Sequence, residues 1–200
     1  MIVRPYGDTA LLVEVDEPAA LAGLRSALTG RVGVEEIVPA ARTLLVRFDA
    51  RKTTADVLTQ ALAGARSRPE RPPSGRPVEL KVRYDGADLD DVAAAVGCSV
   101  PALIDRHAAG QYTVAFCGFA PGFAYLTGLD PALHVARLPS PRARVPAGSV
   151  AIADEYTGVY PRSSPGGWRL LGHTDAPLWD LDRTPPALLS PGTSVRFYAR

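Results

Sequence analysis

Five arginines, Arg137, Arg142, Arg144, Arg162 and Arg169, fall inside one glycine- and proline-rich stretch that runs from Gly118 to Thr174. A guanidinium is a planar fork that holds a carboxylate or a phosphate through two parallel hydrogen bonds. If the run around Arg142 is extended, Arg142 and Arg144 project from the same face and form a candidate anion clamp. The same alternation also describes a solvated strand face. Nearby, Ser163-Ser164-Pro165-Gly166-Gly167 reads either as a nest of converging backbone N–H groups that binds an anion or as a tight hairpin. His107 closes the apolar helical run Leu103-Ile104-Asp105-Arg106. It is a candidate general base or substrate contact, or a histidine resting at the negative end of a helix dipole. Cys117 reads as a small buried hydrophobe, and Phe119 and Trp168 as core or as pocket wall.

These groups need a scaffold. Gly and Pro are costly inside helices and strands, so their clustering with aromatics, arginines and hydroxyls predicts shaped loops on β structure. From Gln111 onward short apolar runs alternate with Gly/Pro turns, which suits a small barrel or sandwich ending in a strand at Ser194–Tyr198. Ahead of it, Val78–Tyr84 alternates like a strand, and 88–96 and 100–108 read as short helices, the second capped by Ser99. Residues 1–66 read as a separate α/β unit. Ala10–Val15 is a strand, and Asp16 caps a helix carrying Leu21, Leu24 and Leu28 on one face. Strands follow at 36–38 and 43–48, then a helix behind the capping box Thr53–Asp56. The order β-α-β-β-α fits a ferredoxin-like sandwich. Ser67–Pro77, with Pro69, Pro72, Pro73, Gly75 and Pro77 among arginines, reads as a linker.

Composition narrows the function. The chain has 200 residues, 46% hydrophobic and 22% charged, as expected of a globular protein with an ample core. A net charge of +1 gives no reason to propose nucleic acid or anionic membrane as a partner. No run approaches a membrane span, and the first residues carry no secretory signal, so the expectation is a reduced, cytoplasmic setting, with Cys98 and Cys117 forming no disulfide framework. His107, His134 and His173 show no metal-ligand spacing, so no metal is expected. There is no G-x-x-x-x-G-K-[ST] loop and no G-x-S-x-G elbow. Lys81 is the last lysine, so no biotin is attached in the glycine-rich half.

Four ordered segments, Gly118–Phe123, Pro141–Val150, Thr157–Pro161 and Ser164–Trp168, are followed by Gly172-His173-Thr174 and Pro185–Pro191. Together they resemble the signature of the carboxyltransferase subdomain C and D family, also labelled allophanate hydrolase subunit 1. The resemblance runs over essentially the whole chain and is strongest from Asp88 to Val195. It implies an α+β chain: a ferredoxin-like domain over 1–66, a linker over 67–77 and a cyclophilin-like β-barrel over 78–200. It implies membership of an ATP-dependent 5-oxoprolinase complex that opens the 5-oxoproline lactam to glutamate. The implied partners are a homologous cyclophilin-like C subunit and a third subunit of different fold. Other family roles are a carboxyltransferase component acting on urea or a related amide, and an inhibitor of a sensor histidine kinase. ATP is the implied cosubstrate, with no motif to place it. The candidate substrate-binding set is Arg142, Arg144, Ser149, Thr157, Tyr160, Ser164, Gly166 and Gly167, with His107 as the catalytic base. The loop segments 122–129 and 166–171 are expected to leave aromatic and leucine side chains partly wet, as a face for the partner. The chain departs from the family at Ala153-Asp154-Glu155-Tyr156-Thr157-Gly158, where the usual pattern is Ala-Gly-Gly-Gln-Thr-Gly, and at His173, where Arg or Lys is usual.

Overall fold

Strand alternation and helical spacing build two separate cores. The structure, a computed structural model, describes residues 1–65 and 76–200, and the chain divides into units Met1–Pro72 and Pro73–Arg200. The expected linker over 67–77 lies almost wholly outside the described residues.

The first unit runs β1 (Ile2–Pro5), β2 (Ala10–Glu14), α1 (Ala20–Leu28), β3 (Val34–Pro39), β4 (Thr43–Phe48) and α2 (Ala55–Gly64). Its four strands form one antiparallel sheet in the order β1-β2-β4-β3. Leu11 and Val13, and Leu44, Val46 and Phe48, recur at period two and so share one buried face. Leu21, Leu24 and Leu28 of α1 and Leu58 and Leu62 of α2 recur at helical spacing and close over it. The topology is ferredoxin-like, with one difference from the sequence reading. The edge place that a strand after α2 normally takes is filled by β1, from the start of the chain.

Two helix starts also differ from expectation. Asp16 caps nothing, and α1 begins after Ala19 with no side-chain cap. The amides of Ala20 and Leu21 donate to the carbonyls of Glu17 and Pro18, both at 3.0 Å, in a tighter turn that satisfies them first. Asp16 instead pairs with the terminal amine at 3.4 Å. The cap of α2 is Thr54, whose Oγ1 accepts from the Val57 amide at 3.3 Å, rather than Thr53.

The second unit runs β5 (Val78–Val82), α3 (Leu89–Ala95), α4 (Val100–Ala109), β6 (Tyr112–Cys117), β7 (Ala124–Thr127), β8 (Arg142–Val145), β9 (Ser149–Ala153), β10 (Tyr156–Val159), β11 (Ser164–Gly166), β12 (Arg169–His173) and β13 (Ser194–Ala199). Seven strands form one sheet in the order β12-β9-β10-β7-β6-β13-β5. Its edges meet where Arg83, just past β5, exchanges backbone hydrogen bonds of 2.9 and 2.8 Å with His173 at the end of β12. The sheet is therefore a nearly closed barrel. β8 and β11 form a separate two-stranded ribbon.

The barrel uses both of its faces. Val114, Leu126, Val150, Ile152, Val159, Leu171, Val195 and Phe197 gather in one interior cluster, which Leu103 of α4 joins. The alternate positions on β7 and β10 carry Tyr125 and Tyr156, Tyr160 just past β10 continues their face, and a register shift between Val114 and Phe116 of β6 brings Phe116 opposite Tyr125. These rings pack with Phe123 and Trp168, mostly edge to face, as an aromatic layer on the other side. The expectation of wet side chains over 122–129 and 166–171 is corrected here. Phe123, Leu126, Leu129, Trp168, Leu170 and Leu171 are all buried: Leu126 lies on β7, Leu170 and Leu171 lie on β12, and Phe123 and Trp168 pack edge to face in the aromatic layer. The exposed large side chains of this unit include Phe119, Trp179 and Leu181. Among the described residues, no helix is long and apolar enough to cross a membrane.

Candidate functional site

His107 lies inside the barrel. It sits in the last part of α4, is fully buried, and packs against Phe197 with ring centroids 4.8 Å apart and the planes tilted by 35°. Both ring nitrogens are engaged: Nδ1 with the Tyr84 hydroxyl at 2.8 Å and Nε2 with Thr157 Oγ1 at 3.0 Å. The Thr157 hydroxyl has one proton, and it goes to the Ala151 carbonyl at 3.1 Å. Its oxygen therefore accepts from Nε2–H, and Nδ1 accepts from Tyr84. The chain of donors fixes a neutral imidazole, and burial lowers the His107 pKa from 6.5 to about 3. The Tyr112 hydroxyl donates to the His107 carbonyl at 2.7 Å and ties the end of α4 to β6. A base must reach its substrate. A sealed ring with both nitrogens in use is instead a positioning residue of the interior, and Thr157 belongs with it.

A different set of candidates meets on the aromatic side. Arg142 Nη2 donates to Asp88 Oδ1 at 2.6 Å, and Asp88 Oδ2 accepts the Leu170 amide at 2.6 Å. Asp88 is almost fully buried, so the guanidinium is anchored rather than solvated. The two arginines do not form a shared clamp. The register of the β8–β11 ribbon slips between Ser164 and Gly166. Arg142 is half-buried, whereas Arg144 is exposed and gives its Nε to Ser163 Oγ at 3.1 Å. Nor do residues 163–167 form a nest or a hairpin turn. Ser164–Gly166 is a strand paired with β8, and neither Gly166 nor Gly167 takes the positive φ that a nest needs. Gly166 has another purpose: a Cβ there would collide with the Tyr160 hydroxyl.

Tyr160 is buried, with its hydroxyl oxygen accepting from the Trp168 backbone amide. Burial pushes the phenol upward, while that amide and the charges of Arg137 and Arg142 pull it down. Ser149 is buried and its carbonyl accepts the Tyr160 amide at 3.0 Å, so it holds the tyrosine's backbone. Phe119 completes the wall, with its ring 5.3 Å from Phe123 and 6.2 Å from Tyr160. It is 60% exposed and adopts φ 66°, a left-handed conformation that is costly for a bulky residue.

The structure thus brings Arg142, Tyr160, Ser164 and Gly166 to one place, supported by Ser149 and with Gly167 beside Pro141. It sends Thr157 and His107 to the opposite face of the sheet and leaves Arg144 at the exposed edge. Three residues of the site, Asp88, Arg137 and Phe119, lie outside the substrate-binding set that the sequence suggests. The motif run holding Phe119 was a signal. A carboxylate 54 positions before its arginine gave none. The family departure at Asp154 has a local explanation: this residue has φ 51°, which glycine adopts freely and aspartate tolerates.

Comparison with known proteins gives the family and the fold. A family model described as the carboxyltransferase domain, subdomain C and D, matches residues 1–189. The B subunit of 5-oxoprolinase from Escherichia coli O157:H7 is 39% identical over 96% of this chain and 92% of its own length. The protein of the same name from Bacillus subtilis strain 168 is 46% identical over 61% of this chain and 52% of its own. Among solved structures, TTHA0988 superposes with a TM-score of 0.80 at 37% identity, covering 96% of this chain. This chain spans only 40% of the TTHA0988 chain. The Kluyveromyces lactis urea amidolyase shares the fold alone, with a TM-score of 0.74 at 20% identity, over 99% of this chain and 15% of its own.

Proposed function

This chain belongs to the carboxyltransferase domain family, subdomain C and D, and from that premise we propose that it is the B subunit of an ATP-dependent 5-oxoprolinase complex, opening the 5-oxoproline lactam to glutamate. The observation that carries the reading is the near end-to-end likeness to the Escherichia coli B subunit, over 96% of one chain and 92% of the other. The site supports it. The exposed Phe119 ring offers an apolar face for a ring-sized substrate, and Arg142, Arg137 and Tyr160 would supply cationic and hydroxyl donors to the oxygen on which negative charge develops as the amide is attacked.

The residues present do not fit a nucleotide site of the phosphate-loop type. The glycine-rich turn does not lead into a helix but is strand β11, and no lysine follows Lys81. We assign ATP to the assembled complex, formed with a homologous C subunit and a third subunit. The general base is likewise placed outside His107. The reading is tested by reconstituting the chain with its two partner subunits and assaying glutamate release from 5-oxoproline. Release that needs ATP and all the subunits is the expected result. No release from 5-oxoproline, with turnover of urea when a biotin carboxylase is added, overturns it.

A further inference from the structure

Two buried polar atoms of the second unit, Arg142 Nη1 and Ser164 Oγ, have no hydrogen-bond partner among the described residues. Each such atom costs free energy on burial, more so for a charged group, and calls for an explanation. Both sit in the same ribbon. Gly166 stands opposite Arg142, and Ser164 lies two residues from Gly166, about 7 Å along the strand. A long arginine side chain readily spans that separation.

Asp88 sets the direction of the guanidinium. One of its oxygens is committed to Arg142 Nη2 and the other to the Leu170 amide, each at 2.6 Å. A carboxylate held at both oxygens cannot swing to follow the arginine, so the guanidinium keeps one edge on Asp88 and presents Nη1 elsewhere. Charge selects the ligand. Asp88 and Arg142 cancel as a pair, and Arg137 is the further cation acting on the Tyr160 hydroxyl beside them. With its own charge already balanced by Asp88, the guanidinium suits a monoanion rather than a phosphate dianion. The two orphan donors match the two oxygens of a carboxylate, and the exposed Phe119 ring beside Tyr160 suits a small ring attached to it.

We propose that Arg142 Nη1 and Ser164 Oγ form a subsite for the carboxylate of a small cyclic substrate, with Asp88 as the positioning residue that aims the guanidinium. The choice of 5-oxoproline as that substrate rests on the reading above; the subsite itself rests on the two orphaned donors.

The test is calorimetric titration of the full chain, alone and assembled with its partner subunits, with 5-oxoproline, with its primary amide, which lacks the carboxylate, and with inorganic phosphate. Binding of 5-oxoproline and weak or absent binding of the amide and of phosphate is the expected pattern. Ser164→Ala should weaken binding of 5-oxoproline about 2- to 10-fold and Arg142→Lys about 10- to 100-fold. Because Arg142→Lys disturbs the Asp88 pair, Ser164→Ala keeps the test open if that variant folds poorly. Equal binding of acid and amide, equal affinity for phosphate, or wild-type affinity in both variants overturns the subsite, even in a complex that turns over 5-oxoproline. Carboxylate binding that depends on Arg142 and Ser164 in a complex with no 5-oxoproline turnover upholds the subsite and sinks the activity reading instead.

Discussion

His107 is neutral at ordinary pH because its surroundings leave no room for a charge: Phe197, Tyr112 and Tyr84 pack around it, and both nitrogens are spoken for. Its folded pKa of about 3 lies below the ordinary value of 6.5. Between those two values the unfolded chain binds a proton that the folded chain refuses, so the unfolded state is favoured as pH falls. The stability that a neutral His107 preserves is complete above about pH 6.5 and drains away toward about pH 3. The slope is at most about 1.4 kcal/mol per pH unit. Urea unfolding of the wild type and of His107→Gln, compared between about pH 7 and about pH 4.5, reads this directly. The variant is expected to show a flatter dependence over that window. An identical dependence in both proteins means that other groups cause the acid sensitivity.

At the scale of elements, the loop from Gly118 to Phe123 trades stability for shape. Three short backbone hydrogen bonds fold it back on itself, from Ala120 to Gly118, Phe123 to Ala120 and Gly118 to Phe123. That turn forces Phe119 to φ 66°. Phe119→Gly relieves a conformation that costs about 1–2 kcal/mol for a residue with a side chain. It also removes the exposed ring from the wall. A higher melting temperature together with weaker 5-oxoproline binding is expected; a lower melting temperature means that ring packing outweighs strain. Elements of this kind mark the limit of what the sequence shows. Period-two and helical spacings placed the four helices and strands β2 to β5 and β13, because Leu11/Val13 or Leu21/Leu24/Leu28 obey local geometry, whereas β6 to β12 were legible only as short runs between Gly/Pro turns. β1 was missed because Ile2–Pro5 is an edge strand, mostly exposed, with little alternation to read. The Arg142–Arg144 clamp failed for a related reason: the register shifts between the pairs Gly166–Arg142 and Ser164–Val145, so strict alternation does not hold along β8, and such an irregularity leaves no trace in the residue pattern. The Asp88–Arg142 pair joins a helix start to a ribbon 54 residues away, a contact that only the closed barrel creates.

At the scale of the whole chain, these 200 residues match only part of some relatives. They span 40% of the TTHA0988 chain, so the remainder of that chain has no counterpart within these 200 residues. The relatives are named as one subunit of an enzyme. The exposed large apolar side chains of the second unit include Phe119, Trp179 and Leu181, at 60%, 39% and 81%. Gly122, at the end of the Phe119 loop, lies against Trp179, and Leu181 follows two residues later. A homologous partner of the kind proposed above would cover these side chains if it packed there, close to the Arg142 site. Stable interfaces of this kind bury about 1,200–2,000 Å² in total. Leu181→Asp leaves the fold intact, since the side chain touches little, but sets a charge in the middle of an apolar contact. Size-exclusion chromatography of the co-expressed pair is expected to show co-elution for the wild type and separation, or a much weaker complex, for Leu181→Asp. Co-elution of both in equal yield places the interface on another face, and the exposed rings then belong to the substrate's entrance alone.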